Sequence, residues 1–515
     1  MQKTKPKLNT IIVVCFLIII SVTGCTVDSF GIGKNTESYT RMNEQVKVSD
    51  LVDESRIVNW VLKKEDIGEF SIFDNINYIE KVMMNNSFAG LFRIVDSQVE
   101  MDLVKKVSVS ETGREYIFEL RESSWSNGDI VTAYDFINSW SKYNEKSEKS
   151  IFSNIGIDSV SVLDKNNISI KLFRSNDNLM HYLSDLTYRL YPDSVLAGAK
   201  LASTDNNITF SGKYEIRLDN DIESLKLIKN NNYYGSENHY INEVHIIPDE
   251  VFSENKNDRY EFYIDSSQTI SEYNELLDGT LDFNYVASGV IKSLAINPKF
   301  KNLSDKYDRI KLFQSLDVKG VSDYTSEGLA TVVDTFAVID NWKFDYGYIE
   351  EIIIAKKNSE FDFDDIKIMY IDNSENQMIY EILSLMFSTN SNLNLISDAV
   401  SEEQYDKNIK ANDFELMIVD IDRIGYLSDS YLLNLSYELP DVYDEYFDYN
   451  YYNNLKKYQN TSDSKYLKKA ELSLKLNAYI SPMYNCGFPI MGDERLDLKE
   501  FYNSEYLDFS TIKYN

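Results

Sequence analysis

Residues 366–396 alternate between two kinds of hydrophobic pattern. Residues 366–371 are rich in isoleucine and aromatic side chains, which is typical of a strand. Ser374, with Gln377 three positions later, predicts a helix start, and the helical pattern continues to about Phe387. Residues 393–396 predict the next strand. A strand–helix–strand unit of this kind indicates an α/β domain.

Other segments extend this pattern along the chain. Residues 116–120 and 160–172 are each predicted to form a strand from their β-branched and aromatic content. Thr132 and Asp135 have capping-box spacing and predict a helix start. Residues 414–419 predict a further strand, and residues 466–480 predict a helix that Pro482 stops.

Length and charge limit the number of domains and the class of partner. A chain of 515 residues exceeds one typical hydrophobic core, so we expect two or three domains. It carries 83 acidic and 52 basic residues, a formal charge of −31, and no local cluster of Lys and Arg. Such a surface repels phosphate backbones, which argues against nucleic-acid binding. The acidity is best interpreted as a source of solubility.

The N-terminus has the pattern of a secretion signal. Lys3, Lys5 and Lys7 precede an apolar run at residues 11–20, which is too short for a comfortable membrane-spanning helix. The run closes on Val-Thr-Gly-Cys at residues 22–25. This motif resembles the bacterial lipobox, which implies cleavage after residue 24 and lipid attachment to Cys25. The alternatives are an uncleaved anchor helix or an ordinary signal peptide. Residues 26–48 are polar and aperiodic and predict a flexible tether.

Cysteine and histidine content argues against catalysis. If Cys15 is removed with the signal and Cys25 is lipidated, Cys486 is left alone and no intramolecular disulfide can form. The three histidines have no metal-ligand spacing, and no phosphate loop, dinucleotide motif or Gly-x-Ser-x-Gly motif is present. We therefore expect no enzyme activity, no cofactor and no metal.

Three short motifs carry a resemblance to a known family. They are Glu-Tyr-Ile-Phe-Glu-Leu-Arg at 115–121, Trp-Ser-Asn-Gly at 125–128 and Thr-Ala-Tyr-Asp-Phe at 132–136. Weaker matches follow in order at 211–214, 229–235, 246–249 and 480–484. Together they resemble the extracellular solute-binding proteins of peptide-type ABC importers, the oligopeptide- and dipeptide-binding group. Lys213 stands where that family prefers proline.

The resemblance implies a fold and a domain order. The fold is α/β and two-lobed, like class II periplasmic binding proteins, with three subdomains and a discontinuous first domain. We expect a signal peptide at 1–24 and a tether at 25–48. Lobe I would combine a core of 49–80, 205–255 and 481–515 with an accessory subdomain at 81–204. Lobe II would span residues 256–480.

The implied function is capture of a peptide in the cleft between the lobes by hinge closure, followed by delivery to an ABC permease. The protein would act as a monomer on the extracellular face of the cell membrane, or on the periplasmic side in a host with an outer membrane. The alternative is a lipid-anchored pheromone or signalling receptor, or a diverged interaction protein without a transport role.

Candidate ligand residues also follow from the resemblance. Phe88, Tyr426 and Tyr484 match cleft segments of the family. Peptide binders of this family hold the free α-amino group with an Asp, and the equivalent place falls near Gly425-Tyr426. Asp422 and Asp429 are the candidates to replace it, and the alternative is that both are solvated loop acids. A helix common in the family is expected in reduced form at residues 329–340.

Overall fold

The computed structural model describes most of the chain after residue 55. The described ranges are 56–73, 76–95, 98–147, 150–203, 207–219, 224–250, 262–266, 281–339, 342, 361, 363–391, 393–423, 427–438, 449–502 and 506–515. Within these ranges, we find no helix that is both long and apolar enough to cross a membrane.

The strands of the described residues are numbered in chain order. They are β1 Ile57–Leu62, β2 Phe92–Val95, β3 Gln98–Met101, β4 Val104–Val109, β5 Glu115–Leu120, β6 Ile157–Asp164, β7 Asn167–Leu172, β8 Tyr214–Asp219, β9 Ser224–Lys229, β10 Glu243–Pro248, β11 Phe262–Asp265, β12 Leu281–Ile296, β13 Asp365–Ile371, β14 Asn394–Val400, β15 Leu416–Asp422, β16 Ile480–Asp493, β17 Leu496–Asp497 and β18 Lys513–Tyr514.

The α-helices are numbered in the same way. They are α1 Tyr78–Ser87, α2 Ala133–Lys146, α3 Ile151–Asn154, α4 Leu179–Tyr182, α5 Asp193–Leu196, α6 Lys306–Gln314, α7 Val318–Ser326, α8 Ser374–Ser391, α9 Glu402–Ala411, α10 Ser430–Glu438, α11 Tyr449–Thr461, α12 Lys465–Asn477 and α13 Lys499–Tyr502.

One large sheet of ten strands runs through the molecule in the order β14-β13-β15-β12-β16-β11-β1-β10-β9-β8. β13 pairs in parallel with both β14 and β15, and α8 connects β13 to β14. This confirms the predicted strand–helix–strand unit and the α/β class. A separate sheet has the order β4-β5-β7-β6.

The first lobe has two hydrophobic clusters. One packs β1 and α1 against β8–β10 and the C-terminal segment, and in it the rings of Trp60 and Phe509 have centroids 5.1 Å apart. The other lies between α2 and the four-stranded sheet. Trp140 is fully buried there, and its indole Nε1 donates to the carbonyl of Tyr188 at 2.9 Å. That bond satisfies the one polar group that burial of the indole removes from water.

The second lobe has one hydrophobic cluster on each face of its half of the sheet. Alternation along the strands divides the side chains: Ile368 and Ile418 face one cluster, and Met369 and Met417 face the other. Helix α8 covers the first face, and helices α10 to α12 cover the second. Because both faces are covered, these strands carry nearly continuous apolar runs.

The helix predicted to begin at Thr132 is confirmed as α2. The carboxylate of Asp135 accepts from the backbone N and from the hydroxyl of Thr132, each at 2.7 Å. The carboxylate thus satisfies one N–H of the helix start that has no partner within the helix. The strand predicted at 116–120 is confirmed as β5.

Two predicted element boundaries are wrong for local reasons. Residues 160–172 form a hairpin of β6 and β7 rather than one strand, because Asp164 Oδ1 accepts from the backbone N of Asn166 at 2.8 Å and stabilises a turn. Helix α8 is capped by Asn373 rather than Ser374, since the Asn373 side chain accepts from the N of Asn376 at 2.8 Å.

Two further predictions fail near the C-terminal half of the sheet. Helix α12 ends at Asn477, where Ala478 takes a left-handed backbone conformation with φ 51°, and Pro482 lies inside β16 instead of stopping the helix. The strand tolerates proline at a break in its register with β12. Residues 329–339 contain no helix, and the helices nearby are α6 and α7. The predicted domain boundaries stay a prediction.

Candidate functional site

Strands β12 and β16 connect the two lobes. They pair antiparallel from Leu281 opposite Asp493 to Ala295 opposite Ile480. At one end they contribute to a first-lobe cluster and at the other to the second-lobe clusters. The register shifts between Ala287 and Ile291, which places a bulge midway between the lobes. A bulge bends the strand and weakens pairing locally, so this is where we expect a hinge.

Gly289 lies within that bulge. Its φ is +75°, a backbone conformation that residues other than glycine rarely adopt. A Cβ at this position would lie 2.7 Å from Nε of Arg423. The backbone N of Arg423 donates to the carbonyl of Gly289 at 3.2 Å, so the end of β15 lies directly against the bulge.

A charged cluster lies beside the bulge in the second lobe. The buried Lys292 Nζ lies 2.7 Å from Asp420 Oδ1 and 3.2 Å from Glu375 Oε2. Burial alone would lower the pKa of Lys292, but the two carboxylates outweigh it and raise that pKa well above its usual value. Tyr484, a predicted ligand residue, donates from its hydroxyl to Glu375 Oε1 at 3.1 Å. Only 2% of Tyr484 is exposed, so its side chain is part of the buried surroundings of this cluster.

Asp422 forms one contact between the lobes. It ends β15 in the second lobe, and its Oδ1 lies 2.6 Å from Nζ of Lys81 on α1 in the first lobe. The side chain of Asn434 on α10 donates to the carbonyl of Asp422 at 2.9 Å. Asp422 is therefore paired in this structure, which contradicts its interpretation as a merely solvated loop acid.

Asp429 forms the second contact. It precedes α10 and has no exposed surface. The Tyr182 hydroxyl, at the end of α4 in the first lobe, donates to Asp429 Oδ2 at 3.1 Å. Around it, Leu427 and Leu433 pack against the first-lobe cluster that contains Tyr182. Asp429 is therefore buried between the lobes, and the solvated-acid interpretation is wrong for it too.

The carboxyl of Asp429 is incompletely satisfied. Among the residues that the structure describes, its Oδ1 has no hydrogen-bond partner. Burial raises the pKa of Asp429 to about 6, and the hydrogen bond from Tyr182 acts in the opposite direction. A buried carboxylate with an unpaired oxygen loses hydration without full compensation, so this site favours a proton or a cation.

The other predicted site residues are placed differently. Phe88 has no exposed surface, and its ring packs against those of Tyr191 and Phe210 at centroid distances of 4.9 and 5.6 Å. In this structure, the ring belongs to the first-lobe core and presents no surface to a ligand. Cys25 and Tyr426 lie outside the described residues.

Histidine and cysteine residues show no metal site. Across the described ranges, no group of three or more His, Cys, Asp or Glu side chains could hold a metal ion. His245 Nε2 lies 2.8 Å from Glu243 Oε2, whereas His239 is buried beside the ring of Tyr214. Burial raises the pKa of the half-buried Cys486 well above its usual value, which makes its thiol unreactive.

Sequence reasoning missed three residues that organise this region: Lys81, Tyr182 and Lys292. Lys81 falls among apolar residues on the inner face of α1, and Lys292 lies inside the apolar run of β12. A lone lysine in such a position signals a buried ion pair, because its charge must be compensated. No comparable signal distinguished Tyr182 among 38 tyrosines.

Curated relatives match this chain over short stretches. The oligopeptide-binding protein OppA of Bacillus subtilis (strain 168) is 40% identical over 60 residues, which cover 11% of this chain and 11% of that protein. The dipeptide-binding protein DppE of the same organism is 38% identical over 72 residues, 14% of this chain and 13% of that protein. The matches therefore span only about a tenth of each relative's length.

Solved structures match over nearly the whole fold. The murein tripeptide-binding protein MppA of Escherichia coli has a TM-score of 0.72 at 15% identity, covering 90% of this chain and 99% of that chain. The pheromone receptor PrgZ has a TM-score of 0.71 at 15% identity, covering 90% of this chain and 100% of that chain. These likenesses show a shared fold.

Family membership follows from the sequence itself. The family model described as "Bacterial extracellular solute-binding proteins, family 5 Middle" matches residues 98–437, more than half of the chain. This range includes the motifs at 115–136 and most of the second lobe. The chain therefore belongs to the bacterial extracellular solute-binding proteins, family 5.

Proposed function

We propose that this protein captures a peptide between its two lobes and delivers it to the permease of an ABC importer. It works outside the cell and is held at the membrane by lipid on Cys25. Its role is binding without catalysis, so a captured peptide leaves unchanged. The flexible tether predicted at residues 26–48 gives the body the reach to move between solute and permease.

The observation that carries this proposal is that Asp429 Oδ1 has no hydrogen-bond partner in the part of the chain that the structure describes. This oxygen is buried where the two lobes meet, beside Tyr182 of the first lobe. A group that must be neutralised at the interface suits a ligand with an ammonium group, and a peptide carries one at its N-terminus. Asp429 thereby takes the part of the family's amine-binding Asp, whose usual place falls near Gly425.

Related proteins support the peptide as ligand. The named relatives include an oligopeptide-binding, a dipeptide-binding and a murein tripeptide-binding protein. Another structure of this fold, AgaA, is a complex with agropinic acid. The fold therefore accommodates non-peptide solutes too, and the ligand class needs a direct test.

The test of binding uses full-length protein extracted from membranes in detergent. Acid-released material is analysed by mass spectrometry, and a peptide library is then screened by thermal shift. We expect intact co-purifying peptides and stabilisation by peptides with a free α-amino group. The Asp429→Asn variant should lose affinity for these peptides about tenfold or more, because the charged partner of the amine is gone. The matched control, Asp406→Asn, changes an exposed acid on α9 and should bind normally.

Peptide binding would be refuted by an empty protein that no library peptide stabilises.

Lipid attachment at Cys25 has its own test. Cells fed an alkyne-bearing fatty acid should label the protein, and Cys25→Ser should abolish the label and release protein into the medium. Retention of the label in Cys25→Ser would contradict lipidation at this residue.

A second candidate function is reception of a peptide signal without import. The likeness to the pheromone receptor PrgZ favours it, since that protein shares the fold over 90% of this chain. The two functions differ in the fate of the peptide. Uptake of a radiolabelled peptide that depends on this protein supports import, whereas a transcriptional response without uptake supports signalling.

A further inference from the structure

The contact that Asp429 makes between the lobes differs from that of Asp422 in the charge of its partner. At the first contact, Asp422 meets a full positive charge on Lys81. At the second, the neutral hydroxyl of Tyr182 donates to Asp429 Oδ2, and Asp429 Oδ1 has no hydrogen-bond partner within the described part of the chain. Closing the lobes therefore buries one carboxyl group at a site where the described residues supply no compensating cation.

We propose that Asp429 couples closure of the empty lobes to its own protonation. An ionised Asp429 holds the empty lobes apart, because burying a half-satisfied carboxylate is costly. A protonated Asp429 lets them close without a ligand. The ligand-free protein therefore stays open at neutral pH and does not present a closed form to the permease without a ligand.

The groups around Asp429 are consistent with this role. Tyr182 on α4 and Tyr451 and Tyr458 on α11 interact electrostatically with its carboxyl. Burial is the first cause that raises the pKa of each of these three tyrosines, so all stay neutral below pH 8. Among the described residues, no lysine, arginine or histidine contributes to the shift at Asp429.

The sign of the pH effect follows from linkage. The closed form raises the pKa of Asp429 to about 6 from the ordinary 3.8 that we assign to the open form. The closed form thus binds the proton more tightly, so acid favours closure and closure is lost as pH rises through about 6. With these two values, the closed-to-open ratio rises about tenfold from pH 8 to pH 5.

The experiment measures closure of the full-length protein without peptide. Fluorescent labels at Leu163→Cys and Leu385→Cys occupy exposed positions on the first and second lobes, in a Cys486→Ala background. Energy transfer between them is recorded from pH 8 to pH 5, with circular dichroism to confirm folding. We expect the closed-to-open ratio to rise about tenfold from pH 8 to pH 5, most steeply below pH 6. Asp429→Asn, which is neutral at every pH, should be largely closed throughout and show no transition.

Two variants separate Asp429 from its neighbours. His181 lies beside Tyr182, and burial lowers its pKa, so His181→Gln must keep the transition if Asp429 is responsible. Tyr182→Phe removes the hydrogen bond that lowers the pKa of Asp429, so in this variant closure should begin to increase at a higher pH. This second variant also tests the proposal if Asp429→Asn does not fold.

A closed fraction that stays constant from pH 8 to pH 5 would overturn the proposal. So would a transition that persists in Asp429→Asn or disappears in His181→Gln. Because the assay contains no peptide, its failure is separate from failure of the proposed function. If the pH transition is found but no peptide binds, proton-linked closure stands and peptide capture does not.

Discussion

Lys81 and Asp422 are 341 positions apart in the chain, yet Lys81 Nζ lies 2.6 Å from Asp422 Oδ1. Lys81 belongs to α1 of the first lobe and Asp422 to the end of β15 in the second. This ion pair exists only while the lobes are in contact, so its strength enters directly into the closed-to-open ratio.

Replacing Lys81 with Met should reduce the closed fraction while leaving the stability of each lobe nearly unchanged. The Asp422 side chain is 35% exposed, so solvent screens the pair and the loss is less than about 1 kcal/mol, or a few-fold in the ratio. Energy transfer between the lobes measures it. Lys319→Met, which breaks a pair within α7, is the control and should leave closure unchanged. If Lys81→Met and Lys319→Met have the same closed fraction, the Lys81 ion pair does not hold the lobes together.

Gly289→Ala should disturb the hinge. It places a Cβ at a backbone φ of +75° and 2.7 Å from Arg423 Nε, so Arg423 must move away from the bulge. Gly235→Ala is a matched control, because Gly235 has a φ of +71° but no atom closer than 3.8 Å to the added Cβ. Each substitution costs about 1 kcal/mol for backbone strain. Only Gly289→Ala should also change the closed fraction, and an unchanged fraction would argue against a hinge at this bulge.

Lys213→Met should destabilise the first lobe strongly. Lys213 and Asp508 form an ion pair in which both side chains are almost fully buried. Burial would raise the pKa of Asp508, but the charges of Lys213 and Arg93 outweigh it and keep this pKa low. Removing Lys213 leaves a buried carboxylate without its ion-pair partner, at a cost of roughly 3–5 kcal/mol in the free energy of unfolding. Urea unfolding measures the loss, and the double variant Lys213→Met/Asp508→Asn should recover much of it. A single variant as stable as the wild type would refute this assignment.

Stability of the second lobe should fall as pH rises toward neutrality. Burial raises the pKa of Glu471 to about 7 from 4.5, although its Oε2 accepts from the backbone N of Phe336 and of Ala337. The folded state therefore binds this proton more tightly than the unfolded state. The contribution of Glu471 to the free energy of unfolding is present below pH 4.5 and is lost as pH rises to about 7. The total loss is roughly 3 kcal/mol.

Urea unfolding between pH 4.5 and pH 8 measures this dependence. Glu471→Gln keeps an acceptor oxygen for the two backbone groups and cannot ionise, so its stability should lose most of this slope. Glu111→Gln changes an exposed acid in a turn and should retain the slope. Identical slopes in the two variants would show that Glu471 is not the titrating group.

Much of the fold was predictable because it depends on near neighbours in the chain. The contact of Thr132 with Asp135 and the strand–helix–strand unit around α8 rest on residue types a few positions apart. Two of the predictions that were wrong concern the ends of elements, where neighbouring residues compete for the same role and residue type alone does not decide between them. Asn373 rather than Ser374 caps α8, and Pro482 lies in β16 because a break in register opposite β12 tolerates it.

The candidate site was predictable only in part. Resemblance singled out Asp422 and Asp429, and both lie between the lobes, but it also singled out Phe88, whose ring the first-lobe core buries completely. The partners Lys81 and Tyr182 were not predicted, since nothing near them in sequence marks them as contacts of the second lobe.

The sequence by itself determined the α/β class, the family and the choice of Asp422 and Asp429 as candidate acids. These depend on patterns of neighbouring residues, and such patterns survive without knowledge of the fold. Only the tertiary structure decided that Asp422 is paired and that one oxygen of Asp429 finds no hydrogen-bond partner among the residues that the structure describes. Tyr182 and Asp429 are 247 positions apart, and burial and compensation of a charge depend on what the fold brings beside it.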